Sequence, residues 1–181
     1  MEISTQQIIE QRSDPELKKL LFNQLMQTHQ SKIFHFVRRM VHCQQDALDI
    51  TQNTFLLVWQ KLYQFNGQSQ FSTWLHQIAY RETLHFLRKQ KRMKQSAAHF
   101  QALTLPLNQS VEENQIIQWL HEAMLQLPEK QRAVFALKYF DDKKYEEIQK
   151  ITGTSIGALK ASYHIAVHKI ENYLSSKNHL T

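Results

Sequence analysis

Three glycines and three prolines in 181 residues leave this chain few means of turning tightly. Average usage is about 7% Gly and 5% Pro, and sandwiches, barrels and βαβ repeats draw on both for their many turns. With 42% hydrophobic and 21% charged residues the chain is globular rather than disordered. The expected fold class is therefore all-α.

Helical periodicity and capping signals run through most of the sequence. Asp14-Pro15-Glu16 reads as a helix start, with Leu17, Leu20, Leu21 and Leu25 marking one face. A second helix is expected over about Gln30–His42. A third should open at Asp46 and run to about Tyr63, with Leu48, Phe55, Val58, Trp59 and Leu62 on its apolar side. After the loop Asn66–Gln70, a fourth helix should span about Ser72–Lys91. The stretch that follows, basic at first and then small and polar around Pro106, reads as a flexible linker. A second helical block then carries the stripe Ile116, Leu120, Ala123 and Leu127 and restarts at Pro128-Glu129. It ends in a short helix over about Lys144–Ile151, a turn at Gly153, and a last helix from Ser155 to about Leu174. The organisation expected is two small helical domains, residues 1–92 and 112–181, joined by a linker over 93–111.

Charge narrows the partners. Lys and Arg number 22 against 16 Asp and Glu, for a formal net charge of +6, which suits a polyanion. On the fourth helix Trp74, Gln77, Arg81, His85, Arg88 and Arg92 recur every three or four residues and so share one side. Arg88 and Arg92 are like charges at i,i+4, a repulsion that a merely solvated face usually avoids. Cations for phosphates, a flat ring and an amide in one row suit nucleic acid. Further on, Tyr145–Ile151, Gly153 and Ser155–Leu159 form the pattern of a helix-turn-helix, in which Ile148 and Ile151 would pack on Leu159. Ser155 would cap the second helix, and Lys160, Ala161 and His164 would face outward, where this motif reads the major groove.

Other chemistries find little support. The single Cys43 permits no internal disulfide. His164 and His168 have a ligand spacing but no third ligand, so no metal is expected, and no cofactor. No Gly-rich phosphate loop, nucleophile elbow or paired carboxylates appear, and the chain is read as a non-enzyme without a small-molecule substrate. Met1–Arg12 is polar and no run approaches the roughly 20 apolar residues of a membrane span, so a cytoplasmic protein is expected. A stand-alone helix-turn-helix regulator and a basic RNA-binding adaptor are the competing classes.

The segments together resemble a known family. Asp46-Ala47-Leu48-Asp49-Ile50-Thr51-Gln52-Asn53-Thr54-Phe55, Phe71-Ser72-Thr73-Trp74-Leu75-His76-Gln77-Ile78-Ala79, the basic run Leu87–Arg92, Leu127-Pro128-Glu129-Lys130-Gln131-Arg132 and the helix-turn-helix resemble, in order and spacing, the extracytoplasmic-function (ECF) class of bacterial RNA polymerase sigma factors. The resemblance implies that the first half binds core RNA polymerase and reads and melts the minus-ten element of promoter DNA. The second half would read the minus-thirty-five element, and a membrane-linked anti-sigma factor becomes a candidate partner. Polymerase contact would fall on Asp49, Gln52, Asn53, Leu56 and Gln60, on the face of the third helix opposite Phe55 and Val58. Minus-ten recognition and melting would fall on Asn66, Gln70, Phe71, Trp74, Gln77, Arg81, His85, Arg88 and Arg92. Minus-thirty-five reading would fall on Ser155, Lys160, Ala161 and His164. The family usually has Asn where Arg81 stands, Ala where Gln149 stands and Ser or Thr near Lys144. It also has more arginine where Ile165 and Val167 stand, which implies fewer phosphate contacts from the last helix here.

Overall fold

A computed structural model describes residues 3–97 and 115–178. Among the described residues eight α-helices carry the fold: α1 Thr5–Gln11, α2 Pro15–Met40, α3 Gln44–Lys61, α4 Phe71–Ala97, α5 Gln115–Gln126, α6 Glu129–Phe135, α7 Tyr145–Thr152 and α8 Ile156–Asn178. Among the described residues there is no strand, and no helix is long and apolar enough to cross a membrane.

Local chemistry accounts for the helix ends. Asp14 accepts hydrogen bonds from the N–H groups of Glu16 and Leu17, with Pro15 in the first helical position. From there α2 runs unbroken to Met40, where two helices were expected, because nothing between Leu25 and Gln30 interrupts the ladder. Helix α1 was not anticipated. Ser4 and Gln7 form a reciprocal capping box at its start. Helix α3 begins at Gln44, two residues before the expected Asp46, which sits in its first turn. The Gln70 carbonyl accepts from Thr73 N–H and Trp74 N–H and so opens α4 at Phe71. That helix continues to Ala97, past the expected linker start at residue 93. Most of the expected linker, Pro106 included, lies outside the described residues.

The apolar faces sort more finely than periodicity foresaw. Leu21 and Leu25 are buried with Ile33, Phe36 and Val37 of the same helix, whereas Leu17 and Leu20 are exposed. On α3, Phe55 and Val58 are buried, but Leu48 and Trp59 stay exposed. Phe22 meets Trp59 edge-on at 5.1 Å, and Lys18 Nζ lies 4.2 Å from that ring's centroid. In the second half, Ala123, Leu127, Val134, Leu137, Ile148, Ile151, Leu159 and Ala166 join one core, while Ile116 is exposed. After α6 a π-turn, Ala136–Phe140, interrupts the helix expected to continue through Phe140.

The two helical blocks pack directly on one another. Helix α2 touches α5 and α6, and α4 lies along α7. Arg132 of α6 donates to the Met40 carbonyl at 2.6 Å, and Arg38 of α2 meets His121 of α5 at 2.7 Å. Asp141, just beyond the π-turn, lies 3.4 Å from Arg39 and 3.3 Å from His76.

Candidate nucleic-acid interface

The α4 row occupies one side of its helix, as the spacing requires. Arg81, His85, Arg88 and Arg92 are all exposed. Among the described residues, no carboxylate forms an ion pair with Arg81, Arg88 or Arg92. A row of unpaired guanidinium groups is an arrangement that phosphate oxygens can neutralise.

The N-terminal end of the row is more engaged. Trp74 is half-buried, its ring 5.5 Å from Phe65 and 5.8 Å from Phe71. Phe71, expected to face DNA, is 5% exposed and belongs to the core, where it meets Phe65 edge-on and braces Trp74 from behind. The reason lies in the helix start: with α4 opening at Phe71, that residue falls in phase with Leu75 and Ile78 on the inward face. In the preceding loop Asn66 and Gln70 are exposed, and Asn66 Oδ1 accepts from Gln68 N–H at 3.2 Å. Gly67 takes φ 74°, and a Cβ there would come within 2.9 Å of Ile9, so α1 packs down on this loop.

Helix α7 lies against the same end of α4. Gln77 Nε2 donates to the Lys150 carbonyl at 3.1 Å, and Thr73 Oγ1 donates to Glu147 at 3.0 Å. Lys143 Nζ bridges Ser72 Oγ and Glu147, each at 3.2 Å, and Lys150 Nζ reaches the Gln68 carbonyl at 3.2 Å. Burial alone would push the Glu147 carboxyl up, but the Lys144 N–H, the Lys143 ammonium and the Thr73 hydroxyl hold it below its ordinary value. A cleft of about 310 Å³ opens beside this contact, and Arg81, Arg88, Lys130 and Lys150 line it with no carboxylate. Thr73, Glu147 and Lys150 were missed as contact residues. Thr73 stands one turn before Gln77, a signal the sequence does carry, but nothing local names Glu147 as its partner.

The helix-turn-helix has the expected form. Ile148, Ile151 and Leu159 are buried together, and Gly153 ends α7 at φ 73° in the left-handed region. Ser155 Oγ accepts from Ala158 N–H at 3.4 Å, at the start of α8. Lys144, where a capping side chain would stand, offers no acceptor, and Glu147 instead accepts from its N–H at 3.0 Å. Ser155, Lys160, Ala161 and His164 are all exposed. The His164 and His168 rings lie 4.7 Å apart, and His168 meets Glu171 at 3.7 Å. Among the described residues no three His, Cys, Asp or Glu side chains are grouped to hold a metal ion.

A third surface lies on α3. Asp49, Gln52, Asn53, Leu56 and Gln60 are all exposed on the side away from Phe55 and Val58. Leu56 is 60% exposed among polar neighbours, while Gln45 Nε2 ties down the Asp49 carboxylate at 3.0 Å.

The chain matches known proteins in both sequence and fold. Residues 25–93 match the family model for Sigma-70 region 2, and residues 117–170 match that for Sigma-70, region 4. Together these segments make up more than half of the chain. The RNA polymerase sigma-H factor of Pseudomonas aeruginosa is 28% identical over 184 residues, covering 93% of each protein. The RNA polymerase sigma factor SigV of Bacillus subtilis is 27% identical over 153 residues, 83% of this chain and 89% of that protein. In fold, the sigma factor RpoE, solved in complex with the anti-sigma factor NepR from Bartonella quintana, superposes with a TM-score of 0.75 at 22% identity, covering 85% of this chain and 96% of that one. CnrH, solved with the cytosolic domain of CnrY, gives 0.70 at 18% identity over 95% and 97%.

Proposed function

Because the chain belongs to the ECF sigma factors, which bind core RNA polymerase and direct promoter-specific transcription initiation, we propose that its three surfaces divide that work. Asp49, Gln52, Asn53, Leu56 and Gln60 on α3 dock on the polymerase, with exposed Leu56 as the apolar anchor amid polar groups. Arg81, His85, Arg88 and Arg92 hold promoter phosphates around the minus-ten element. Trp74, braced by Phe65 and Phe71, with Gln77 and the loop residues Asn66 and Gln70, receives unpaired bases. Lys160, Ala161 and His164 read the minus-thirty-five element from α8, with Ser155 fixing the helix start. The polymerase supplies the chemistry, so this chain acts as a non-enzymatic specificity factor in the cytoplasm. A membrane-linked anti-sigma factor is its candidate regulator.

The observation that carries the reading is the α4 row, in which exposed cations, without carboxylate partners among the described residues, run in helical register away from a half-buried tryptophan. In the packed arrangement the Gln77 amide is spent on Lys150, so its use on DNA requires α7 to move away. The test is transcription by core polymerase plus this chain from promoters randomised across both elements. Arg88→Ala with Arg92→Ala should lower output on every sequence, as loss of phosphate contacts does. Lys160→Ala and His164→Ala should instead change which upstream sequences are preferred, since each good base contact gives about 1–3 kcal/mol of discrimination. If the α8 variants lose activity by one factor on all promoters, α8 holds backbone and does not read bases.

A further inference from the structure

A second cleft, of about 420 Å³, lies between the two helical blocks and shares no residue with the three surfaces above. Its lining brings together His42 from the turn between α2 and α3, Lys91 and Lys94 from α4, and Arg132 from α6, against Glu129 as the lining carboxylate. Among the described residues neither lysine forms an ion pair. Asp46 feels the Lys94 charge but stands beyond ion-pair distance.

Arg132 supplies the second observation. It is 5% exposed, and its Nη atoms donate to the carbonyls of Met40, Leu125 and Leu127. Among the described residues its buried Nε–H has no hydrogen-bond partner and no carboxylate lies within ion-pair distance, although Glu129 acts on the guanidinium from further off. A buried charge without a close counter-charge is costly, and native proteins normally pair such groups. Apart from Glu129, the charged side chains lining the cleft have the same sign. The His42 imidazole is pushed below its ordinary pKa by burial and then by Arg132, Lys94 and Arg38, with Asp46 opposing. The cleft is open to solvent, and its volume is far beyond what one ion or water fills.

We propose that this cleft binds a small anion carrying two or more phosphate groups, held by Lys91, Lys94 and His42 over the fixed Arg132 guanidinium. Glu129 gives the buried arginine a partial counter-charge from beyond ion-pair distance, and the ligand adds to it. Because the cations come from both helical blocks, the bound anion also ties α4 to α6 and favours the packed arrangement over a separated one. Inorganic pyrophosphate and a nucleoside diphosphate share this chemistry, and they are the two sources to distinguish.

Calorimetric titration of the full chain with sodium pyrophosphate and with ADP, without magnesium and at an ionic strength held constant with sodium chloride, tests the site. One saturable site is expected. Lys91→Gln with Lys94→Gln should weaken it by about tenfold or more, the loss expected for two charge-assisted hydrogen bonds. The control pair Lys19→Gln with Lys32→Gln on α2 removes equal charge away from the cleft and should leave affinity within about twofold. The ligand should raise the melting temperature of the parent and the control, and much less that of the cleft variant. Tighter binding of ADP names a nucleotide as the source; equal or tighter binding of pyrophosphate names the inorganic anion. Absence of saturable binding, or equal losses in the two paired variants, overturns the proposal. So does a cleft variant that keeps pyrophosphate affinity but loses promoter DNA affinity, which would make these lysines DNA-phosphate contacts.

Discussion

Arg132 shows how much structural work one side chain can carry. Its guanidinium donates to the carbonyls of Leu125 and Leu127, closing the turn between α5 and α6, and to that of Met40 at the end of α2. A planar fork can serve three acceptors at once; an ammonium on a flexible stem cannot hold the same geometry. Removing it strands buried carbonyls that each cost about 1–3 kcal/mol when unsatisfied. Arg132→Ala should therefore destabilise the chain by about 3 kcal/mol, and Arg132→Lys should recover less than half of that. The urea midpoint at constant slope measures both. A loss below about 0.5 kcal/mol, the level of an ordinary surface substitution, would show that water replaces the guanidinium and that the turn holds without it.

At the level of elements, the turn between α7 and α8 rests on one backbone conformation. Gly153 sits at φ 73°, and a Cβ built there would meet nothing within 4 Å. Substitution therefore costs conformation alone, without a clash. Gly153→Ala should destabilise by about 1 kcal/mol and Gly153→Asn by less, since Asn tolerates the left-handed region. Thermal unfolding compares the two; equal losses would mean that the turn relaxes out of this conformation. This glycine was legible in the sequence, because a helix pattern ending on Thr152 followed by Gly is a local signal. So were the buried trio Ile148, Ile151 and Leu159 and the row on α4, since both follow from spacing along one or two adjacent helices. Three element-level features were not. The continuity of α2 through residues 26–29 reflects the absence of any breaker rather than a positive signal. Phe71 fell on the inward side because a backbone carbonyl, not a side-chain cap, sets where α4 begins. The π-turn at Ala136–Phe140 arises where Phe135 stacks on both Tyr139 and Tyr163, a tertiary arrangement with no local mark.

The packing of one block on the other was the least legible feature, because its contacts join residues far apart in sequence. Thr73 with Glu147, Gln77 with Lys150 and Arg38 with His121 each pair groups that look like ordinary surface residues on their own helices. The Arg38–His121 contact makes this packing sensitive to acid. Arg38 can only donate, so at 2.7 Å His121 Nε2 must accept, which requires a neutral imidazole. Burial first, then the Arg38, His42 and Arg132 charges, push the His121 pKa from 6.5 down to about 4, with Glu122 opposing. Between those two values the unfolded chain binds the extra proton and the folded chain does not. Stability should therefore fall as the pH drops from about 6.5 towards 4, with no further loss from this group below 4. The linkage ceiling is about 3 kcal/mol, and partial solvent exposure of the ring reduces the expectation to about 1–2 kcal/mol. His121→Gln keeps an acceptor for Arg38 but cannot titrate. Urea midpoints measured from pH 7 to pH 4 should therefore fall less steeply for the variant than for the parent. Parallel slopes would place the acid sensitivity elsewhere and leave Arg38–His121 as a contact that protonation does not break.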